Sequence, residues 1–401
     1  MVPEQHERPL DFPFAFPAGT AQPGQLALLR GEAPVARVTL ATGDEAWLVT
    51  RYADVQLVLN DARFSRAAAE APGAPRMGAS NPGPDVLLGM DGPDHARLRR
   101  LAVKHFTNRR VERLRPWTQR LADSLLDTLV ETGPPGDLVP GLALPVPLML
   151  VLELLGVPRE DSPRLCAWTD TAFSMTRHSH AEIVAARGHL EEYVSGMIAL
   201  RRERPGDDLL GALVAERDEG GRLTEKELVG FAFLLVTAGY LSTVNAISSG
   251  VLTLLLNPGE LAGLRARPEA VPAAVEELLR HNPSAITGAL PRVVLEDVEL
   301  GGVRIRAGEA VVPAIGSANH DAAVFDRPEL VDVARATNPH LAFGYGVHRC
   351  LGAQMARMEL QVAVATLLRR LPGLRLAVPE HELRWKDHPV SRGLLSLPVE
   401  W

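Results

Sequence analysis

"FGYGVHRCLG", Phe343 to Gly352, holds one of only two cysteines in a chain of 401 residues. It sets a thiol among three glycines, beside a histidine and an arginine, just ahead of an apolar-periodic run. That run, "LGAQMARMELQVAVATLLRRL", carries Leu351, Met355, Met358 and Val362 at helical spacing. Cys350 is therefore expected at a helix N-terminus, where unsatisfied N–H groups and the dipole favour an anion. A thiolate there is expected to have a lowered pKa and to serve as nucleophile or metal ligand. Gly344 and Gly346 let the backbone bend tightly and bring N–H groups towards the sulfur, where they tune a ligated thiolate. The plain alternative is a buried, inert cysteine.

Composition limits what this cysteine can be. With 46% hydrophobic and 23% charged residues the chain reads as an ordinary folded protein. A net charge of −7 gives no global field for nucleic acid or anionic lipid. The N-terminus, "MVPEQHERPLDFPFAF", has no basic start followed by an apolar core, so no secretory signal is read. The most apolar stretch, Leu138 to Leu152, is interrupted by Pro140, Pro145 and Pro147 and is not expected to span a membrane. Cys166 and Cys350 form no CxxC pair, which argues against a structural zinc site and a disulfide scaffold. A cytoplasmic globular protein with reduced cysteines is expected.

The chain reads as one domain, residues 1–401, mainly α with small β-sheets formed from N- and C-terminal segments. Residues 35–50 form a hairpin pattern around "TGDE", and "VELGGVRIRAGEAVVPA", 298–314, is a second strand cluster with turns at Gly301-Gly302 and Ala307-Gly308. In "TEKE", Thr224 and Glu227 form a capping box. From Glu225 to Leu256 no proline intervenes, so a central helix of roughly 30 residues and about 45 Å is expected. It is apolar almost all round, as a helix through the protein's centre would be. The Pro- and Gly-rich segments 71–84 and 133–147 are expected to be loops.

F-G-x-G-x-H-x-C-x-G followed by Ala356-Arg357 resembles the haem-binding signature of cytochrome P450 monooxygenases. "EELLR", with Glu277 and Arg280, resembles the family's ExxR motif, and "NPHLAFG", "RPGDDLL" and "RGLLSLPV" are phrases typical of its soluble bacterial members. The resemblance implies the P450 fold, with haem between the long central helix and the Cys-loop helix. It makes Cys350 the axial thiolate of haem b, in a loop shaped by Phe343, Gly344, Gly352 and Ala356. A thiolate ligand pushes electron density towards iron and favours O–O cleavage. Glu277, Arg280 and Arg335 match a structural triad that fixes the loop. Read alone, Glu-x-x-Arg is more often a solvated surface pair. His95, Arg99, Arg292 and His348 match the cations that hold the haem propionates, a role suited to charge-assisted hydrogen bonds.

The central helix departs from the family pattern in "LLVTAGYLSTVNAI". Ala238 and Gly239 fit and are expected to open room for dioxygen. Leu241 stands where an acid belongs, Ser242 where threonine belongs, and Thr243 follows. The acid and alcohol normally organise water and deliver protons, so losing the carboxylate removes the obvious proton source. The plain alternative for Ser242 is a bond to the carbonyl one turn back. Two readings stand: hydroxylation with protons from water or substrate, or radical coupling of aromatic substrates such as cyclic dipeptides, forming C–C or C–N bonds.

The resemblance places substrate contacts at Met77, at Phe173, along Leu235 to Ser242, at Ala285, Ile286 and Ala289, and at Leu394. These are small or apolar and suit a bulky, largely apolar molecule, though any can equally be plain core. Electrons are expected from a ferredoxin and ferredoxin reductase, docking on a basic face with Arg109, Arg110, Arg113, Arg349 and Arg357. No nucleic acid or membrane partner is expected. A Cys-dependent hydrolase, a haem sensor and a non-catalytic haem-binding relative are the rival readings.

Overall fold

The structure is a computed structural model, which describes residues 8–17, 19–78, 83–172, 178–282, 290–386 and 392–401. Its helices are α1 (Gly24–Glu32), α2 (Tyr52–Asn60), α3 (Gly92–Val103), α4 (Asn108–Thr132), α5 (Pro145–Leu155), α6 (Ser162–Ala172) and α7 (His180–Glu203). They continue with α8 (Leu209–Asp218), α9 (Glu225–Ala238), α10 (Leu241–Leu256), α11 (Pro258–Ala266), α12 (Val271–His281), α13 (Ile315–Ala318) and α14 (Ala353–Arg370). The strands are short: β1 (Leu10–Asp11), β2 (Val35–Thr39), β3 (Glu45–Val49), β4 (Phe64–Ser65), β5 (Gly136–Asp137) and β6 (Arg292–Val294). β7 (Val298–Leu300), β8 (Val303–Ile305), β9 (Ala310–Pro313), β10 (Arg375–Leu376) and β11 (Pro398–Glu400) follow.

The sheet order β1-β2-β3-β9-β6-β4 joins segments from both halves of the chain. The expected hairpin is β2–β3, in register from Val35↔Val49 to Thr39↔Glu45. Gly301 and Gly302 both take positive φ, +56° and +81°, and turn β7 back onto β8. Paired positive φ values give the twist that a two-residue hairpin turn needs. β9 leaves that hairpin and pairs with β3 and β6, which puts Arg292 in the sheet beside Val311.

The capping box of α9 is formed: Thr224 accepts from the Glu227 N–H, and Glu227 accepts from the Thr224 N–H at 2.8 Å. The single long helix is not. It breaks at Gly239-Tyr240, where Tyr240 takes φ −121° and ψ −41°, and restarts as α10. A Cβ on Gly239 would stand 2.4 Å from the Leu235 carbonyl oxygen and 2.8 Å from Val151 Cγ2, so this tight passage against α5 admits glycine only. The segment Glu225–Leu256 is long and apolar enough to cross a membrane, yet it is broken here and lies largely within the core.

The segment 133–147 also departs from expectation. It contains β5, a π-helical turn at Val139–Ala143 and the start of α5. Pro145 and Pro147 sit in the first turn of α5, where proline leaves no intrahelical bond unmade. The apolar residues around them, including Leu142, Val146, Leu150 and Leu152, are buried. α14 lies at the centre, packed against α4, α10 and α12.

Candidate active site

The cysteine loop is closed by two backbone bonds: Gly344 N–H to the Leu341 carbonyl and Cys350 N–H to the Phe343 carbonyl, both 2.8 Å. Gly344 and Gly346 take φ of +69° and +70°, the left-handed region. Gly346 also packs on the end of α2, where a Cβ would stand 3.0 Å from Asn60 Cα and from the Leu59 carbonyl oxygen. Cys350 stands three residues ahead of α14, with the Gly352 N–H donating to its sulfur. It keeps open surface although protein surrounds it on most sides, as a side chain facing an internal cleft does. The expected lowering of its pKa is not observed. Burial pushes the thiol up, and the Gly352 N–H with the guanidinium groups of Arg99, Arg349 and Arg357 only oppose it.

On α12, Glu277 and Arg280 are fully buried, not a solvated pair. Arg280 meets both carboxylate oxygens at 2.8 Å and holds the carbonyls of Asn319, Pro328 and Leu330. Arg335 Nε donates to Glu277 at 3.0 Å, and Asn338 and the Asp332 N–H complete the carboxylate's partners. Burial would raise the Glu277 pKa, but these donors hold it below the usual range. Beside them, Arg357 makes two 2.8 Å bonds to Glu276 and stacks on Phe343 at 4.5 Å. Arg357 is thus engaged internally and does not join an exposed docking face. Gly352 and Ala356 lie half-buried at the start of α14.

His95, Arg99, Arg292 and His348 come together from α3, β6 and the cysteine loop. The rings of His95 and His348 are 4.3 Å apart. Arg99 donates to the Arg349 carbonyl. His95 Nε2 and Arg292 Nε are buried with no hydrogen-bond partner among the described residues. Burial first, then neighbouring cations, bring His95 down to about 4 and Arg292 down to about 10. Buried donors left without acceptors beside several cations fit an anionic group of carboxylate chemistry.

Three residues here escaped the sequence reading. Asp91 accepts from His348 Nε2 at 3.1 Å, from Ser65 Oγ at 2.6 Å and from the Ala67 N–H at 2.9 Å. Arg66 and Glu70 form a buried pair at 2.8 Å, and Arg66 also holds the carbonyls of Leu88 and Pro291. The spacing of Asp91, four before His95, and the i,i+4 relation of Arg66 to Glu70 were available signals.

On the central helix Ala238 and Ser242, one turn apart, are exposed, whereas Thr243 is buried. Leu235 and Leu241 are half-buried beside them. Gly239 does not open room as expected, because its missing side chain faces Val151 of α5. Met77 is packed with Phe12, Phe14 and Leu26 in the core beneath the sheet, and Leu394 is fully buried, so neither presents surface to a pocket. Phe173, Ala285, Ile286 and Ala289 lie outside the described residues.

The family model Cytochrome P450 matches residues 269–389, a span holding both the buried Glu277 pair and the cysteine loop. The chain is 49% identical over 391 residues to nocardicin C N-oxygenase of Nocardia uniformis subsp. tsuyamanensis, covering 97% of this chain and 98% of that protein. The chain belongs to the cytochrome P450 family. It is also 45% identical to mycinamicin IV hydroxylase/epoxidase of Micromonospora griseorubida, covering 98% of this P450 and 99% of the relative. A solved structure described as cytochrome P450mel 107F1 with biaryl coupling reactivity superposes with a TM-score of 0.93 at 42% identity, covering 98% of this chain and 99% of that one. The protein is an enzyme of the monooxygenase class, of the kind found in bacterial secondary metabolism, with haem b on a cysteine thiolate between the central helix and the Cys-loop helix.

Proposed function

We propose that this P450 acts in the cytoplasm as one domain, residues 1–401, and oxidises a bulky, largely apolar small molecule with electrons from a ferredoxin and its reductase. Haem b supplies the iron centre at which dioxygen is activated. Cys350 holds the iron, while Phe343, Gly344, Gly352 and Ala356 shape the loop against the ring. His95, Arg99, Arg292 and His348 take the haem carboxylates, and Glu277, Arg280 and Arg335 fix the loop from below. Ser242 and Thr243 would hold and pass protons, next to the surface that Ala238 leaves open.

One observation carries this reading: an accessible cysteine in a tightly closed loop, next to buried histidine and arginine donors without acceptors. Exposed Ala238 and half-buried Leu235 and Leu241 support an apolar substrate. The electron partner is supported by exposed Arg109, Arg110, Arg113 and Arg349. Val103 and Val347, 47% and 60% exposed, lie close to these arginines along the chain and add apolar surface of the kind a transient acidic partner fits.

A second reading, radical coupling of aromatic substrates, is favoured by Leu241 in place of an acid and by the biaryl-coupling relative. Haem reconstitution tests the first requirement. Wild-type protein should give the red-shifted spectrum of a thiolate-ligated, reduced, carbon monoxide-bound haem, and Cys350→Ala should lose it. An unchanged spectrum in the variant would remove Cys350 as ligand. Substrate-induced changes in haem spin state then screen candidate molecules.

A further inference from the structure

Asp91 occupies the N-cap position of α3, where an aspartate usually accepts N–H groups of its own helix. Here its side chain makes no capping bond, and only its backbone carbonyl accepts, from the His95 N–H at 3.3 Å. Its carboxylate turns away to join two other segments, residues 65–67 and the cysteine loop. One oxygen is fixed twice, by Ser65 Oγ at 2.6 Å and by the Ala67 N–H at 2.9 Å. Ser65 Oγ is itself set by the Ala68 N–H at 2.8 Å. The other oxygen accepts from His348 Nε2 at 3.1 Å. A helix that carries both His95 and Arg99 thus gives up its own cap to hold an imidazole of the cysteine loop.

We propose that Asp91 is the positioning residue of the carboxylate clamp: it fixes the His348 ring against His95, so that the clamp's donors are set before haem arrives. The inference rests on the haem reading above. Attraction does not explain the acid, since an anion beside a carboxylate-binding clamp opposes the ligand by charge. Orientation does, because a hydrogen-bonded carboxylate holds an imidazole ring in one plane, as the outer partners of histidine ligands do. The groups facing Asp91 are His348 and Ser65 by direct bonds, with Arg66, Arg292 and His95 nearby by charge.

The test is the rate at which holoenzyme loses haem to a protein scavenger, measured by absorbance. Asp91→Asn keeps the shape and removes the carboxylate. We expect haem loss about tenfold faster, the size of one lost charge-assisted bond, with the thiolate spectrum unchanged. In a His348→Ala background the same substitution should have almost no further effect, since coupled residues are non-additive. Haem loss from Asp91→Asn that is unchanged or slower overturns the proposal. So does an equal acceleration in the His348→Ala background, which would assign the acid to α3 or residues 65–67 instead. Should Asp91→Asn yield no holoprotein, Ser65→Ala loosens one anchor of the same carboxylate and must give a smaller acceleration in the same direction; no acceleration counts against the role. Wild-type protein that takes up no haem defeats the haem reading, not this step.

Discussion

The two sides of the site are built by different rules. In the buried cluster that precedes the cysteine loop in sequence, the Glu277 carboxylate accepts from Arg280, Arg335, Asn338 and the Asp332 N–H, all at 2.8–3.0 Å. Around the break in the central helix, the side chains that show surface include Leu235, Ala238, Leu241 and Ser242. A buried charge demands specific partners at specific positions, because leaving one unpaired in the interior is costly. Small and apolar side chains facing a cleft are set only by size and can vary without unfolding anything. The floor of the site is therefore rigid in identity, and its roof is free to change.

The largest effect should come from breaking the floor. Glu277→Ala leaves Arg280, 0% exposed, without its partner and should cost about 3–5 kcal/mol. Ser242→Ala on the roof should stay within about 0.5 kcal/mol. Urea midpoints of the two variants decide the matter, and equal shifts would end the contrast between floor and roof.

That contrast also explains what the sequence could say. The ten residues from Phe343 to Gly352 were legible because glycines with left-handed φ, a thiol and a histidine leave little freedom in how the loop closes. The β2–β3 hairpin and the Thr224-Glu227 box were legible because local chemistry makes them. The break at Gly239-Tyr240 was not, since it answers to Val151, a residue almost ninety positions away. Asp91 hid for a related reason: it sits where a cap is expected and bonds elsewhere. Met77 and Leu394 were expected at the pocket from the family resemblance, and their apolar character could not correct it, because it suits a pocket and a core equally.

Glu359 is an exception that sharpens the comparison. It lies on α14, nine residues after Cys350, fully buried with neither carboxylate oxygen hydrogen-bonded among the described residues. Burial pushes its pKa well above the usual carboxylate value, so the folded chain holds this proton after the unfolded chain has released it. Protons bound in the native state and not in the unfolded one make stability fall as pH rises. Wild-type stability should therefore carry a downward contribution from about pH 5 upward, until the folded carboxyl itself ionises. Glu359→Gln should remove that slope. Urea unfolding at a series of pH values measures it, and identical slopes in the two proteins would mean that Glu359 has a proton-independent environment. Here a carboxylic acid is kept neutral by apolar packing, whereas Glu277 is kept charged by donors.

Small in its expected effect on stability, and the most informative for chemistry, is Leu241→Glu. Leu241 is the first residue of α10 and half-buried, so an acid there meets the positive end of a helix dipole, worth about 0.3–1 kcal/mol in its favour. The variant should fold. It puts a carboxylate next to Ser242, in the position where the family resemblance leads one to expect an acid. If hydroxylation is the native reaction and proton supply limits it, product formed per reductant consumed should rise by at least about twofold, a small part of what a positioned acid can contribute. If the native reaction is radical coupling, added protons should divert electrons and lower the yield of coupled product. Unchanged turnover and unchanged coupling would show that the missing acid has no bearing on mechanism. The roof would then vary freely in the one position where its chemistry seemed to depend on it, and the choice between hydroxylation and coupling would fall to the substrate.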